Sequence, residues 1–126
     1  MIREILSLTL IIIGTVFMLV SAIGVVRLPD LYLRMSSSTK ASTLGISAIL
    51  LGLAIHFNEL GVSSRAIATI VFILLTAPVA AHMMGRAAYF NGVPLWAGTH
   101  HDDLRGRYDE KTHQLSGDEE EADLTV

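Results

Sequence analysis

The run ILSLTLIIIGTVFMLVSAIGVV, from Ile5 to Val26, decides the class of protein to which this chain belongs. Its 22 residues carry no charge. At 1.5 Å of rise per residue, a helix of this length spans about 33 Å, enough to cross a hydrocarbon core of roughly 30 Å. Arg3 and Glu4 cancel in front of it, so the positively charged start of a secretory signal is missing. The run therefore predicts a retained transmembrane helix.

Two further apolar runs follow. Residues 41–57 form a shorter run with two glycines, and residues 66–85 form a run that contains Pro78. Membrane helices tolerate proline when neighbouring groups satisfy the carbonyl that it leaves free. With the first run at 5–26, the sequence predicts an all-α integral membrane protein whose three transmembrane helices occupy residues 1–92.

The basic residues predict the orientation. Three spans put the first loop and the C-terminal segment on one side of the membrane, and the side richer in Lys and Arg stays in the cytoplasm. Seven of the nine basic residues fall on that side: Arg27, Arg34, Lys40, Arg86, Arg105, Arg107 and Lys111, against Arg3 and Arg65 on the other. The N-terminus is therefore expected outside and the C-terminus inside the cell.

Residues 93–126 are polar and acidic, and they are expected to form a disordered cytoplasmic tail. The adjacent residues His100, His101, Asp102 and Asp103 would make a weak site in such a tail, so no metal is predicted. The chain has no cysteine, which excludes disulfides and thiolate metal sites. No cofactor is predicted, and the net charge of −3 makes nucleic acid a poor partner.

Small residues recur on one face of the second span, at intervals of four, three and four residues. The first span has a similar stripe that includes Ser7 and Ser21. Lipid is as apolar as a leucine side chain, so membrane helices associate through close packing of small residues. These stripes predict helix packing, either within the chain or with other chains. The packing candidates are Gly14, Ala41, Gly45, Ala48 and Gly52.

Polar residues recur in the third span. Pro78, His82 and Arg86 are spaced at i, i+4 and i+8, with Thr76 nearby, and Pro78 leaves the carbonyl of Leu74 without its helical donor. Polar groups at membrane depth are candidates for function, here for contact with an ion. The alternative is a kinked helix whose histidine and arginine extend to the cytoplasmic surface.

The predicted spans contain no Asp, Glu or Lys. Proton-driven transport usually needs titratable groups along a buried path, and no pattern of a catalytic nucleophile or phosphate loop is present. The chain is therefore expected to be neither an enzyme nor a complete pump. Three functions remain open from the residues: a subunit of a larger transporter, an autonomous homo-oligomeric transporter, or a membrane assembly or regulatory protein.

The densest charged motif follows the first span. Pro29 is expected to fix the turn out of the helix. Asp30 stands three residues after Arg27 and four before Arg34, so it is predicted to pair with one or both. The candidate residues of this loop motif are Arg27, Pro29, Asp30, Arg34 and Lys40.

Two motifs carry a resemblance to a known family. GVVRLPDLYLRMSSSTKASTLG (24–45) and LLTAPVAAHMMGRAAY (74–89) resemble the G subunit of Mrp-type multisubunit cation/proton antiporters, also called Mnh or Pha. The resemblance covers roughly residues 1–92. It departs at Ser36, where a histidine would be expected, and at Ser42, where many relatives have an acidic residue. Both departures favour a packing role for the loop over proton chemistry.

The resemblance implies membership of a large hetero-oligomer in a bacterial plasma membrane. Its large subunits are similar to the antiporter-like subunits of respiratory complex I and carry the proton path. The small subunits, this one included, would contribute to assembly and to the sodium route, in a complex that exchanges cytoplasmic Na⁺ for external H⁺. The other subunits and the lipid are then the expected partners, and contact with the transported Na⁺ and H⁺ would be indirect.

Overall fold

The computed structural model describes residues 1–109, and the acidic segment 110–126 lies outside the described residues. Three helices make up most of it: α1 (Ile2–Arg27), α2 (Leu31–Phe57) and α3 (Leu60–Phe90). All three are long enough and apolar enough to cross a membrane. The predicted all-α architecture with three membrane-length helices is confirmed.

The middle helix organises the compact unit Met1–Leu95. One side of α2 packs against α1 and another against α3, whereas the backbones of α1 and α3 do not approach within 8 Å (Cα–Cα) of each other. Most large apolar side chains point outward, as expected where the surrounding medium is lipid. The buried positions of the helices are small residues: Ser7, Gly14, Ser21, Gly45, Gly52 and Ala66.

The turn between α1 and α2 is only three residues long. Leu28 has extended geometry (φ −70°, ψ 137°), as is usual before a proline. Asp30 is the N-cap of α2: its carboxylate accepts a hydrogen bond from the Tyr32 backbone N–H at 3.1 Å, and the residue is buried. This side-chain cap satisfies one of the free donors at the start of the helix.

The prediction that the charged motif before the second span is a loop is therefore wrong from Leu31 onward. Because α2 begins at Leu31, Arg34 and Lys40 belong to the helix, and one membrane-length helix does contain a lysine. Two hydroxyls of the polar run donate to carbonyls one turn earlier within the helix: Ser42 to Ser38, and Thr43 to Thr39 at 2.6 Å.

The turn between α2 and α3 is only two residues long. Asn58 ends α2 in the left-handed conformation (φ 52°, ψ 32°), which asparagine tolerates better than most residues. Glu59 precedes α3, which continues without interruption through Pro78. Because both connections are so short, consecutive helices run antiparallel, and the start of α2 lies at the same end as the finish of α3.

The segment after Leu95 is a separate unit, and its described part consists mostly of turns and irregular backbone. The Thr99 N–H donates to the Trp96 carbonyl at 2.9 Å, and His101 Nε2 lies 2.9 Å from a carboxylate oxygen of Asp103. Within residues 1–109, no group of three or more His, Asp or Glu side chains lies close enough together to hold a metal ion.

Candidate functional site

A close backbone contact joins Gly14 of α1 to Gly45 of α2. A β-carbon at position 14 would lie 2.5 Å from the Gly45 carbonyl oxygen, and one at position 45 would lie 2.8 Å from the Gly14 carbonyl oxygen. Both distances are far below van der Waals contact. The two backbones approach this closely only because neither residue has a side chain.

The same interface continues in both directions from this crossing. A β-carbon at Gly52 would lie 2.8 Å from the Ser7 carbonyl oxygen. At the other end, the Ser21 hydroxyl donates to the Ser38 carbonyl at 3.4 Å. Ala41 and Ala48 share this face of α2 by spacing and are half-buried. The small-residue stripes of the first two spans thus meet each other inside the chain, an alternative that the sequence had left open.

The contact between α2 and α3 uses a second small-residue stripe that was not predicted from the sequence. Ala66 is buried, and a β-carbon at Gly85 would lie 3.2 Å from the Met35 methyl group. Small residues at Ala77, Ala81 and Gly85 are four residues apart, so they share one face of α3. Their regular spacing is the signal in the sequence that could have revealed this face.

A cavity of about 470 Å³ lies between α2 and α3. Most of its surface is apolar, and its polar groups come from α2, which supplies hydroxyl groups at helical spacing and one lysine. The lining residues are Tyr32, Met35, Ser36, Thr39, Lys40 and Thr43 from α2 and Pro78 and Ala81 from α3. The cavity therefore contains Ser36, which stands where the family resemblance led us to expect a histidine.

The polar residues predicted to share one face of α3 do not form a single site. Pro78 lines the cavity, but the hydroxyl of Thr76 donates to the Phe72 carbonyl at 2.7 Å on its own helix. His82 is exposed, and the guanidinium of Arg86 lies 5.5 Å from the centre of the Phe90 ring, a cation–π distance. In the isolated chain, most of this face points away from α2.

The structure corrects the predicted ion pairs of the loop motif. Within residues 1–109, Asp30 makes no ion pair with Arg27 or Arg34, because its carboxylate is turned toward the first backbone N–H groups of α2. Arg34 Nε instead donates to the Leu28 carbonyl at 2.6 Å, which ties the first turn of α2 to the end of α1. Arg27 is exposed at the C-terminal end of α1, where a cation is favoured by the helix dipole.

Comparison with known proteins identifies the family. The sequence model of a family of Na⁺/H⁺ antiporter subunits (PhaG, MnhG and YufB) matches residues 10–89, which include all of the α1–α2 interface except its Ser7 end. The chain belongs to this family. It is 41% identical over 113 residues to the G subunit of the Na⁺/H⁺ antiporter of Alkalihalophilus pseudofirmus, and the match covers 86% of this chain and 92% of the relative.

Two solved complexes contain chains similar to this family member. One is a chain of the membrane-bound sulfane sulfur reductase, an archaeal respiratory membrane complex, with 40% identity and a TM-score of 0.71. The other is a chain of the Mrp complex of Dietzia sp. DQ12-45-1b, with 22% identity and a TM-score of 0.77, which shows a shared fold. Each match covers 82% of this chain and 93% of the other.

Proposed function

We propose that the chain is a small, non-catalytic membrane subunit of a multisubunit Na⁺/H⁺ antiporter, and that its main contribution is to assembly of the complex. The observation that carries this proposal is the 41% identity to the G subunit of such an antiporter over nearly the whole of both chains. The chain is a subunit of a transporter rather than an enzyme, and its place is the bacterial plasma membrane.

The distribution of exposed side chains supports a role in assembly. Large apolar residues stay exposed on all three helices, for example Ile12 (62%) in α1 and Leu75 (68%) in α3. The fully buried positions of the helices are small residues, so most of the large apolar side chains are available to lipid and to neighbouring subunits.

Deletion and complementation test this proposal. Without the chain, the remaining subunits are expected to lose assembly and Na⁺/H⁺ exchange in membrane vesicles, and re-expression should restore both. An affinity tag on another subunit should recover the chain. Exchange activity from this chain expressed alone would instead support an autonomous transporter.

We also propose that the polar face of α3 adjoins the cation route. Pro78 leaves the Leu74 carbonyl without its helical donor, and His82 lies one turn farther along the same face. His82→Ala is expected to lower Na⁺/H⁺ exchange severalfold while the complex still assembles, because the residue is exposed and makes no hydrogen bond within residues 1–109. Met83→Ala, an exposed neighbour, is the matched control. Unchanged exchange in His82→Ala would exclude this histidine from the route.

The proposed orientation places the N-terminus outside and the C-terminus inside the cell. The chain has no native cysteine, so single cysteines report it cleanly. Glu59→Cys, in the exposed turn between α2 and α3, should react with an impermeant reagent added to whole cells. Asn91→Cys, just after α3, should react only after the membrane is opened. The reverse labelling pattern would overturn the orientation.

A further inference from the structure

The cavity between α2 and α3 holds polar groups that this chain leaves without partners. Lys40 is exposed in this chain and makes no ion pair within residues 1–109, and the hydroxyls of Ser36 and Thr39 make no hydrogen bond there. An ammonium group can only donate hydrogen bonds, and a hydroxyl can donate one. Three groups that can donate therefore line one cavity that supplies no anionic acceptor.

The helical unit offers no counter-ion for Lys40. Its acidic residues are Glu4, Asp30 and Glu59, all at helix ends. Asp30 is ten residues, or about 15 Å of helix, away from Lys40 and is engaged in capping α2. An unpaired charge at membrane depth is strongly unfavourable, and residues of this kind normally pair within a bundle.

Lys40 lies at a depth that a carboxylate on a neighbouring transmembrane helix can reach. Lys40 lies nine residues after Leu31, about 14 Å along the axis, and the whole of α2 spans about 40 Å. If α2 is centred in a hydrocarbon core of roughly 30 Å, the Lys40 backbone lies about 8 Å inside its boundary. Helical side chains lean toward the N-terminus of their helix, so Lys40 extends over Ser36, one turn nearer the start of α2. The related chains belong to multisubunit membrane complexes, so a carboxylate on a neighbouring helix is the acceptor that can reach Lys40 and the two hydroxyls together.

We propose that a transmembrane helix of a neighbouring subunit packs across the mouth of the α2–α3 cavity and places an Asp or Glu carboxylate against Lys40. The hydroxyls of Ser36 and Thr39 donate to the same carboxylate. This proposal rests on the proposed function, because it requires other subunits in the complex. It assigns Ser36, Thr39 and Lys40 of α2 to subunit recognition rather than to proton transfer.

Carbodiimide coupling of the intact complex tests the pairing directly. Dicyclohexylcarbodiimide enters the membrane and joins an amine and a carboxylate into an amide, without adding a spacer. We expect one adduct between this chain and another subunit, and peptide mass spectrometry should place it at Lys40. The adduct should disappear in Lys40→Arg, which keeps the charge and the complex but cannot be coupled. It should persist in Lys111→Arg, which removes the chain's other lysine.

Retention in the complex provides the second readout. Lys40→Met should reduce the amount of this chain recovered with a tagged partner by about tenfold or more, because it leaves a carboxylate buried without its cation. Arg65→Met, an exposed cation near the start of α3, should be retained like the parent.

Three outcomes would overturn the pairing. They are full retention of Lys40→Met without any Lys40-dependent adduct, an adduct to the acidic residues of this same chain, and a loss of bound anionic lipid in Lys40→Met while the complex stays intact. Failure of the parent chain to co-purify at all would instead contradict the proposed function.

Discussion

Gly45→Leu is expected to reduce recovery of the assembled antiporter complex by tenfold or more. At position 45, even a β-carbon would lie 2.8 Å from the Gly14 carbonyl oxygen and 2.9 Å from Met18 Cγ. The carbonyl belongs to a backbone that cannot rotate away, so α1 and α2 must separate. Overpacking of this kind costs about 1–3 kcal/mol even in soluble cores, and a separated pair also loses the Ser21 hydrogen bond.

Gly61→Leu is the matched control for this experiment. Gly61 is also a helical glycine, but nothing lies within 4 Å of a β-carbon at that position. The Gly61→Leu variant should assemble like the parent. Gly45→Ala adds a single methyl group, so its yield of complex should fall between those of Gly61→Leu and Gly45→Leu. The measurement is the yield of complex on a tagged partner, with its thermal unfolding temperature. Normal assembly of Gly45→Leu would contradict the tight α1–α2 crossing.

Asp30→Ala is expected to destabilise the start of α2 by about 1 kcal/mol, within the roughly 0.5–2 kcal/mol typical of a lost N-cap. The Asp30 side chain accepts from the Tyr32 N–H and is 7% exposed, so an alanine leaves that donor without its partner. The same turn is joined by the hydrogen bond from Arg34 Nε to the Leu28 carbonyl. We therefore expect a lower unfolding temperature and a lower yield of the assembled complex.

Asp30→Asn separates capping from charge. Asparagine caps helices about as well as aspartate, so it should preserve most of the stability and the assembly. Asp30→Glu should behave more like the alanine variant, because the longer side chain does not fit the cap. If Asp30→Asn fails as badly as Asp30→Ala, the negative charge is required, and Asp30 has a cationic partner outside this chain.

The loop motif shows where reasoning from sequence succeeded and where it failed. Pro29 correctly predicted the end of α1, because the proline disfavours helical geometry at Leu28. The predicted ion pairs of Asp30 were wrong, because proximity in sequence does not show whether a carboxylate faces a guanidinium or the N-terminus of a helix. Aspartate is a common N-cap, so the sequence already indicated a helix start at Leu31. The charged residues that follow it led instead to the prediction of a loop.

The candidate site was predictable only in part. The small-residue stripe of α2 could be read from spacing, because residues three and four apart share a face of any helix. The cavity of Ser36, Lys40 and Pro78 could not, because it combines residues of α2 and α3 that are about forty positions apart in the sequence. Their meeting depends on the rotation of each helix about its own axis.

The sequence by itself determined the three membrane-length helices, because hydrocarbon thickness fixes how many uncharged residues a span needs. It also contained the motifs that identify the antiporter-subunit family. Only the tertiary structure decided that the Gly14 and Gly45 faces meet inside the chain and that Lys40 opens into a cavity beside α3. The reason is that lipid solvates every apolar face of a helix equally well. Hydropathy therefore specifies that a helix spans the membrane, whereas close steric fit between particular backbones specifies which face meets which neighbour.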